Sequence, residues 1–123
     1  MKSTQNLIEE ELLRLCQEGN IEAFFLFNEE GIPMAGVNSS AHLNADGIAA
    51  LSVILHQSAE LTEEFQENAL VDEVSLRITN KHRIVSRPFL VDDIKLILIA
   101  VVPQHVPYRR ITTTAVRRVQ QLF

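Results

Sequence analysis

The sequence is poor in the residues that carry most covalent and metal chemistry. Cys16 is the only cysteine among 123 residues, so no intrachain disulfide can form and no cysteine cluster can bind zinc. Beside Leu12 and Leu15 it reads as a buried helical thiol and not as a redox centre. Tryptophan is absent and tyrosine occurs once, while glycine and proline occur four times each. Internal repeats, long linkers and low-complexity tracts are absent too. No segment approaches the ~18 uninterrupted apolar residues of a membrane span; the strongest run, 94–102, contains Lys95 and is one strand long. Residues 1–6 are polar and lack an apolar targeting core, which predicts a flexible lead into a single domain over residues 7–123. These absences predict a cytoplasmic protein without direct membrane insertion.

Positive charge is scarce in the first part of the chain. Residues 1–76 hold two bases, Lys2 and Arg14, against fourteen acids, a formal charge of -12; residues 77–123 hold nine bases against Asp92 and Asp93, a charge of +7. The two parts together give the chain's -5. Such a polar field can orient a partner, unless the fold interleaves the two signs. Nucleic acid is a poor match to this acidity. Arg83, Arg87, Lys95 and the arginines of the last segment are accompanied by no recognition helix and no aromatic RNA-binding motif.

What the chain does have is hydrophobic periodicity. Ile8, Leu12, Leu15 and Cys16 fall on one side of a helix over residues 5–17, with Gly19 and Asn20 as its stop signal. The dense apolar stretch 21–28 and the stretch 32–37, joined through Glu29, Glu30 and Gly31, predict a hairpin whose first strand is covered on both faces. Pro33 places the second strand at an edge or start, and Gly36 suits close backbone packing. Residues 71–79 alternate, with Val74, Leu76 and Ile78 expected to face the core. Two further strands follow over 83–91 and 94–102, turned by Asp92 and Asp93; Pro88 argues against a fully bonded central position for the first of them. Ile111, Ala115, Val119 and Leu122 then return at helical spacing.

The segment 46–67 fits one helix, capped by Asn44, whose apolar side is too wide for a single packing surface. Ile48, Leu51, Ile54, Leu55, Ala59, Leu61 and Phe65 spread over roughly half its circumference at ~100° per residue. The element order is therefore helix, two strands, long helix, three strands, helix, an α+β domain and not a βαβ repeat.

No catalytic constellation is visible. Ser39 and Ser40 sit in no nucleophile elbow and beside no base. His42, His56, His82 and His105 match neither a zinc-helix spacing nor a triad, and the adjacent Asp92 and Asp93 do not by themselves define a metal site. No cofactor or metal is expected, and the chain is read as a non-enzyme.

The ordered elements resemble the roadblock/LC7 domain family, which includes dynein light chains and bacterial partners of Ras-like small GTPases. The resemblance rests on the strand, acidic-glycine turn and small-residue strand at 21–36, the alanine- and leucine-bearing helix at 48–65, the hydrophobic strand at 96–102 and the final helix at 111–122. It covers the chain beyond its first residues, although Gly19-Asn20-Ile21-Glu22 departs from the family's glycine-rich approach to the first strand and leaves the branch open. The resemblance implies an α-β-β-α-β-β-β-α sandwich on a five-stranded antiparallel sheet, roadblock/profilin-like, with the long helix on one face and the terminal helices on the other. It also implies a homodimer that pairs third strands and packs long helices together. Carried onto this sequence, the dimer surface would use Leu51, Ile54, Leu55, Ala59, Val74 and Leu76. A second surface for another protein would use Val53, His56, Gln57, Glu60 and Glu64. The implied partner is a Ras-like small GTPase. The chain has no phosphate-binding loop of its own, and Arg109, Arg110, Arg117 and Arg118 read as solvated helix residues and not as an inserted arginine finger. A ligand-sensing domain of the same α+β fold and a scaffold subunit in a heterodimer are the alternatives.

Overall fold

In a computed structural model describing residues 2–39 and 43–123, the first helix, α1, spans Thr4–Gly19. The Ser3 hydroxyl accepts the Asn6 N–H at its start, so the polar lead is shorter than residues 1–6. Asn20 ends the helix in the left-handed region (φ 55°), its N–H returning to the Cys16 carbonyl. Asparagine, and not the adjacent Gly19, takes the positive φ because its short polar side chain tolerates that region.

The strands are β1 (Ala23–Asn28), β2 (Pro33–Asn38), β3 (Val74–Arg77), β4 (Arg83–Val91) and β5 (Ile94–Val102). All pair antiparallel in the order β2-β1-β5-β4-β3. The second helix, α2 (Ala45–Phe65), carries the chain from the β2 edge to the opposite β3 edge, and α3 (Arg109–Leu122) closes the fold. At 21 residues, α2 is about 32 Å long, enough to cross five strands about 19 Å wide. The architecture is the α+β sandwich expected from the sequence.

Each face of the sheet has its own core. Phe24 and Leu26 of β1 and Leu96, Leu98 and Ala100 of β5 pack with Ile8, Leu12 and Leu15 of α1 and Ala115 and Val119 of α3. Phe25, Phe27, Ile97, Ile99 and Val101 turn the other way onto Ile48 and Leu55 of α2. Period-two geometry thus explains why β1 and β5 read as unbroken apolar runs: both of their faces are covered. Cys16 belongs to the α1 core, and burial pushes its thiol up to about 11. It stays protonated and unreactive at neutral pH.

The β4–β5 connection is a two-residue loop, since Val91 opposes Ile94. Asp92 and Asp93 both have positive φ (48° and 68°), the geometry of a type I′ hairpin turn. The paired carboxylates are therefore turn residues. Pro88 opposes Ile97 on β5, but β3 pairs with β4 only as far as Ser86. The nitrogen that cannot donate thus lies beyond the end of the β3 ladder.

The two sheet edges differ. On β2 the Gly36 N–H donates to Glu9 Oε2 of α1 (2.9 Å), and a Cβ at Gly36 would lie 3.0 Å from the Phe25 ring. Helix α1 thus takes up one donor of that edge strand. No strand of the described residues lies beyond β3. The β3 edge is shorter than the expected 71–79, and it is open.

Candidate interaction surface

Helix α2 is organised by three faces. Asn44 caps it, accepting the Gly47 N–H at 3.1 Å, and Asp46 adds negative charge to its first turn. Ile48, Ser52, Leu55 and Ala59 lie on one side and are buried against the sheet. The Ser52 hydroxyl donates to the Ala49 carbonyl (2.7 Å), so its burial leaves no unsatisfied donor.

The second face meets the β1–β2 turn. Asn28 Oδ1 accepts the N–H groups of Glu30 and Ile32, holding the turn, and Gly31 has φ +82°. A Cβ at Gly31 would lie 2.7 Å from Val53 Cγ2 and 3.2 Å from the Ala49 carbonyl oxygen. Gly31→Ala combines left-handed strain with this clash and is expected to cost about 2 kcal/mol, measured as a lowered urea midpoint at unchanged slope. On the same face His56 is 5% exposed. Its Nε2–H points at Glu29 Oε2 (3.2 Å) and Glu60 Oε1 (3.1 Å), while Nδ1 has no partner among the described residues.

The third face is apolar and open. Ile54, Leu61 and Phe65, at spacings of seven and four, are 57%, 59% and 82% exposed and form one row at helical periodicity. Ser58 and Thr62 lie along the same side, but their hydroxyls donate to the Ile54 and Ser58 carbonyls (3.1 and 2.8 Å). Turned onto their own backbone, they leave the row with little polar character. Beside it, Leu51 and Val74 are half-buried against the α2 core. Leu76 opposes Ile84, a residue of that same core, so it points to the α2 face of the sheet; like Ile78 it is exposed. The expectation that Leu76 and Ile78 face the core is corrected: Leu76 points to the α2 side of the sheet but α2 does not reach far enough to cover it, and Ile78 lies exposed beyond the end of β3.

The residues expected at a dimer surface therefore separate. Ile54 and Leu76 are exposed and Leu51 and Val74 are partly so, but Leu55 and Ala59 are committed to the chain's own core. Adjacent positions differ by ~100° on a helix, which is why Ile54 and Leu55 part company. Of the residues expected at a second protein surface, Gln57, Glu60 and Glu64 are exposed, Val53 is partly covered by the β1–β2 turn, and His56 is buried. Leu61 and Phe65 are the stronger surface residues, and the helical period held their signal. Leu70, also exposed, lies in an aperiodic connection that gave none.

The remaining polar candidates do not converge. The Ser39 hydroxyl donates to the Glu22 carbonyl (2.6 Å), and Ser40 and His42 lie outside the described residues. His82 pairs with Glu22 (2.7 Å), and His105 contacts the Gln104 amide (2.8 Å). Among the described residues no three His, Cys, Asp or Glu side chains are placed to hold a metal, and no helix is long and apolar enough to cross a membrane.

Solved structures share this arrangement of sheet and helices. The gliding protein MglB from Thermus thermophilus superposes with a TM-score of 0.81 at 12% identity, covering 99% of this chain and 92% of that one. A roadblock/LC7 domain from Streptomyces avermitilis matches with a TM-score of 0.74 at 13% identity, over 93% of this chain and 92% of that one. The fold is the roadblock/LC7 fold. An MglB described with a tetrameric arrangement matches equally well, with a TM-score of 0.80 at 13% identity over 99% of this chain and 89% of that chain. No protein-family model and no curated protein sequence matches the chain. On this roadblock/LC7 frame, α2, which carries the open row, packs against β3, the open edge strand.

Proposed function

We propose that the chain is a non-catalytic, homodimeric interaction module that binds and regulates a Ras-like small GTPase. The observation that carries the assembly half is the row Ile54, Leu61 and Phe65, which lies exposed on α2, the helix that packs against the open edge strand β3. A two-fold axis beside that edge would pair β3 with β3, extend the sheet and bury both rows at once. An apolar row of this kind on a monomer is an aggregation hazard unless something covers it, and a second copy offers the same complementary row. That an MglB of the same fold is described with a tetrameric arrangement supports assembly here.

The GTPase half rests on the family resemblance in the sequence and on the roadblock/LC7 fold. Gln57, Glu60 and Glu64 remain exposed on α2 and supply a polar, acidic surface for the partner. The module acts by positioning the GTPase's switch segments, with no residue of its own inserted into the chemistry. Titrating the full chain against a Ras-like GTPase from the same genome, loaded with GDP or with a non-hydrolysable GTP analogue, tests it. Saturable binding that differs between the two states is expected; no saturable binding in either state sinks the assignment.

A further inference from the structure

At the end of the sheet away from the β1–β2 turn, the β3–β4 turn and the β5–α3 connection border an open pocket of about 970 Å³. Arg77, Lys81, Arg83, Arg109 and Arg110 all line it, and none of the lining side chains is acidic. In a chain whose net charge is -5, this gathers five of its eleven Lys and Arg residues around one space. None of the five is ion-paired to a carboxylate among the described residues. Like charges so gathered repel one another, and an anion between them relieves that cost.

The walls are held in place. Ile78 and His82 are bonded backbone to backbone (2.9 Å), as are Lys81 and Ile78 (2.8 Å), which fixes the turn that carries Lys81. Arg83 lies 5.3 Å over the Tyr108 ring and donates to its hydroxyl (3.2 Å), while that hydroxyl donates to Glu73 (3.0 Å). Arg83 is thus oriented by an aromatic face and a hydroxyl, with its remaining N–H groups available. Tyr108 is also the N-cap of α3 and provides no side-chain cap bond, and the first turn has no acidic residue. The positive end of a 14-residue helix therefore opens into the same space. Ile78, Val102 and Val106 supply an apolar floor.

We propose that this cavity binds a ligand carrying clustered phosphates. Four of the five cations are arginines, whose planar forks match phosphate oxygens bidentately. The volume lies near the upper end of the roughly 300–1,000 Å³ of small-molecule sites. A peptide carboxylate chain spreads its charge at about one per 3.3 Å of extended backbone, whereas this site gathers its donors around a single pocket. A soluble organic polyphosphate and a phosphoinositide headgroup present the same chemistry.

Calorimetric titration of the full chain with inorganic tripolyphosphate and with ATP, alongside co-sedimentation with phosphatidylcholine vesicles containing phosphatidylinositol bisphosphate, tests the site and separates the two sources. The expected result is one saturable site per chain, weakened as salt is raised. The variant carrying Lys81→Glu and Arg109→Glu, both exposed positions, should bind about 10-fold more weakly or worse, while Arg117→Glu, outside the cavity, should bind as the unaltered chain does. Matching thermal melts for the three proteins show that folding is intact. Binding to the soluble probes alone assigns a soluble ligand, and binding to the vesicles assigns a headgroup. No saturable binding to any probe, undiminished binding by the double variant, or equal affinity for an octaglutamate peptide would each overturn the proposal.

Discussion

Leu55→Asp should unfold the chain, or leave it so near unfolding that circular dichroism shows no cooperative melt. Leu55 is 3% exposed and packs with Phe25, Phe27, Ile97 and Ile99 beneath α2. Its replacement removes a buried leucine and leaves a carboxylate among the apolar side chains Phe25, Phe27, Ile97 and Ile99. Losing the apolar contacts and burying the charge together cost at least about 4–5 kcal/mol, against a total stability of about 5–15 kcal/mol for a domain of this kind. A native-like melt would mean that Leu55 is not a core residue. Placed on the preceding residue, the same aspartate should have a different consequence.

Ile54→Asp combined with Leu61→Asp should give a folded monomer. Both side chains are more than half exposed, so the isolated chain loses little by exchanging them for charged groups. At a two-fold interface each substitution acts twice. With about 1.5–3 kcal/mol for each apolar side chain buried, the dimer dissociation constant should rise by at least about 100-fold. Sedimentation equilibrium should report one chain where the unaltered protein gives two, at a melting temperature close to the monomer's own. An unchanged assembly mass would place the interface elsewhere.

The contrast between Leu55 and Ile54 locates the limit of what the sequence could reveal. The width of the apolar arc over 46–67 was legible, because periodicity reports how far apolar residues spread around a helix. Its phase was not, since that depends on where the sheet and the β1–β2 turn lie. The turn meets α2 through Gly31 against Val53 and Ala49 and through Glu29 against His56, contacts between segments more than fifteen residues apart. His56 therefore reads as polar surface in sequence and is buried in structure. Strand β3 shows the converse case. Val74, Leu76 and Ile78 alternate as a half-buried strand should, and alternation correctly gives the side of Val74 and Leu76 but cannot say where α2's cover ends or that the strand stops at Arg77. The runs at β1 and β5, the Asn44 cap and the Asp92-Asp93 turn were readable because each is decided by neighbours in sequence. The basic cavity was foreshadowed only by the +7 charge of residues 77–123; its convergence depends on β3, β4, β5 and α3 meeting at one end of the sheet.

Everything proposed for α2 depends on whether two copies of this chain meet. Light scattering coupled to size exclusion, applied to the unaltered chain across micromolar concentrations, measures that mass directly. A mass of twice 13.9 kDa is the expected result, and a steady 13.9 kDa over the whole range would contradict it.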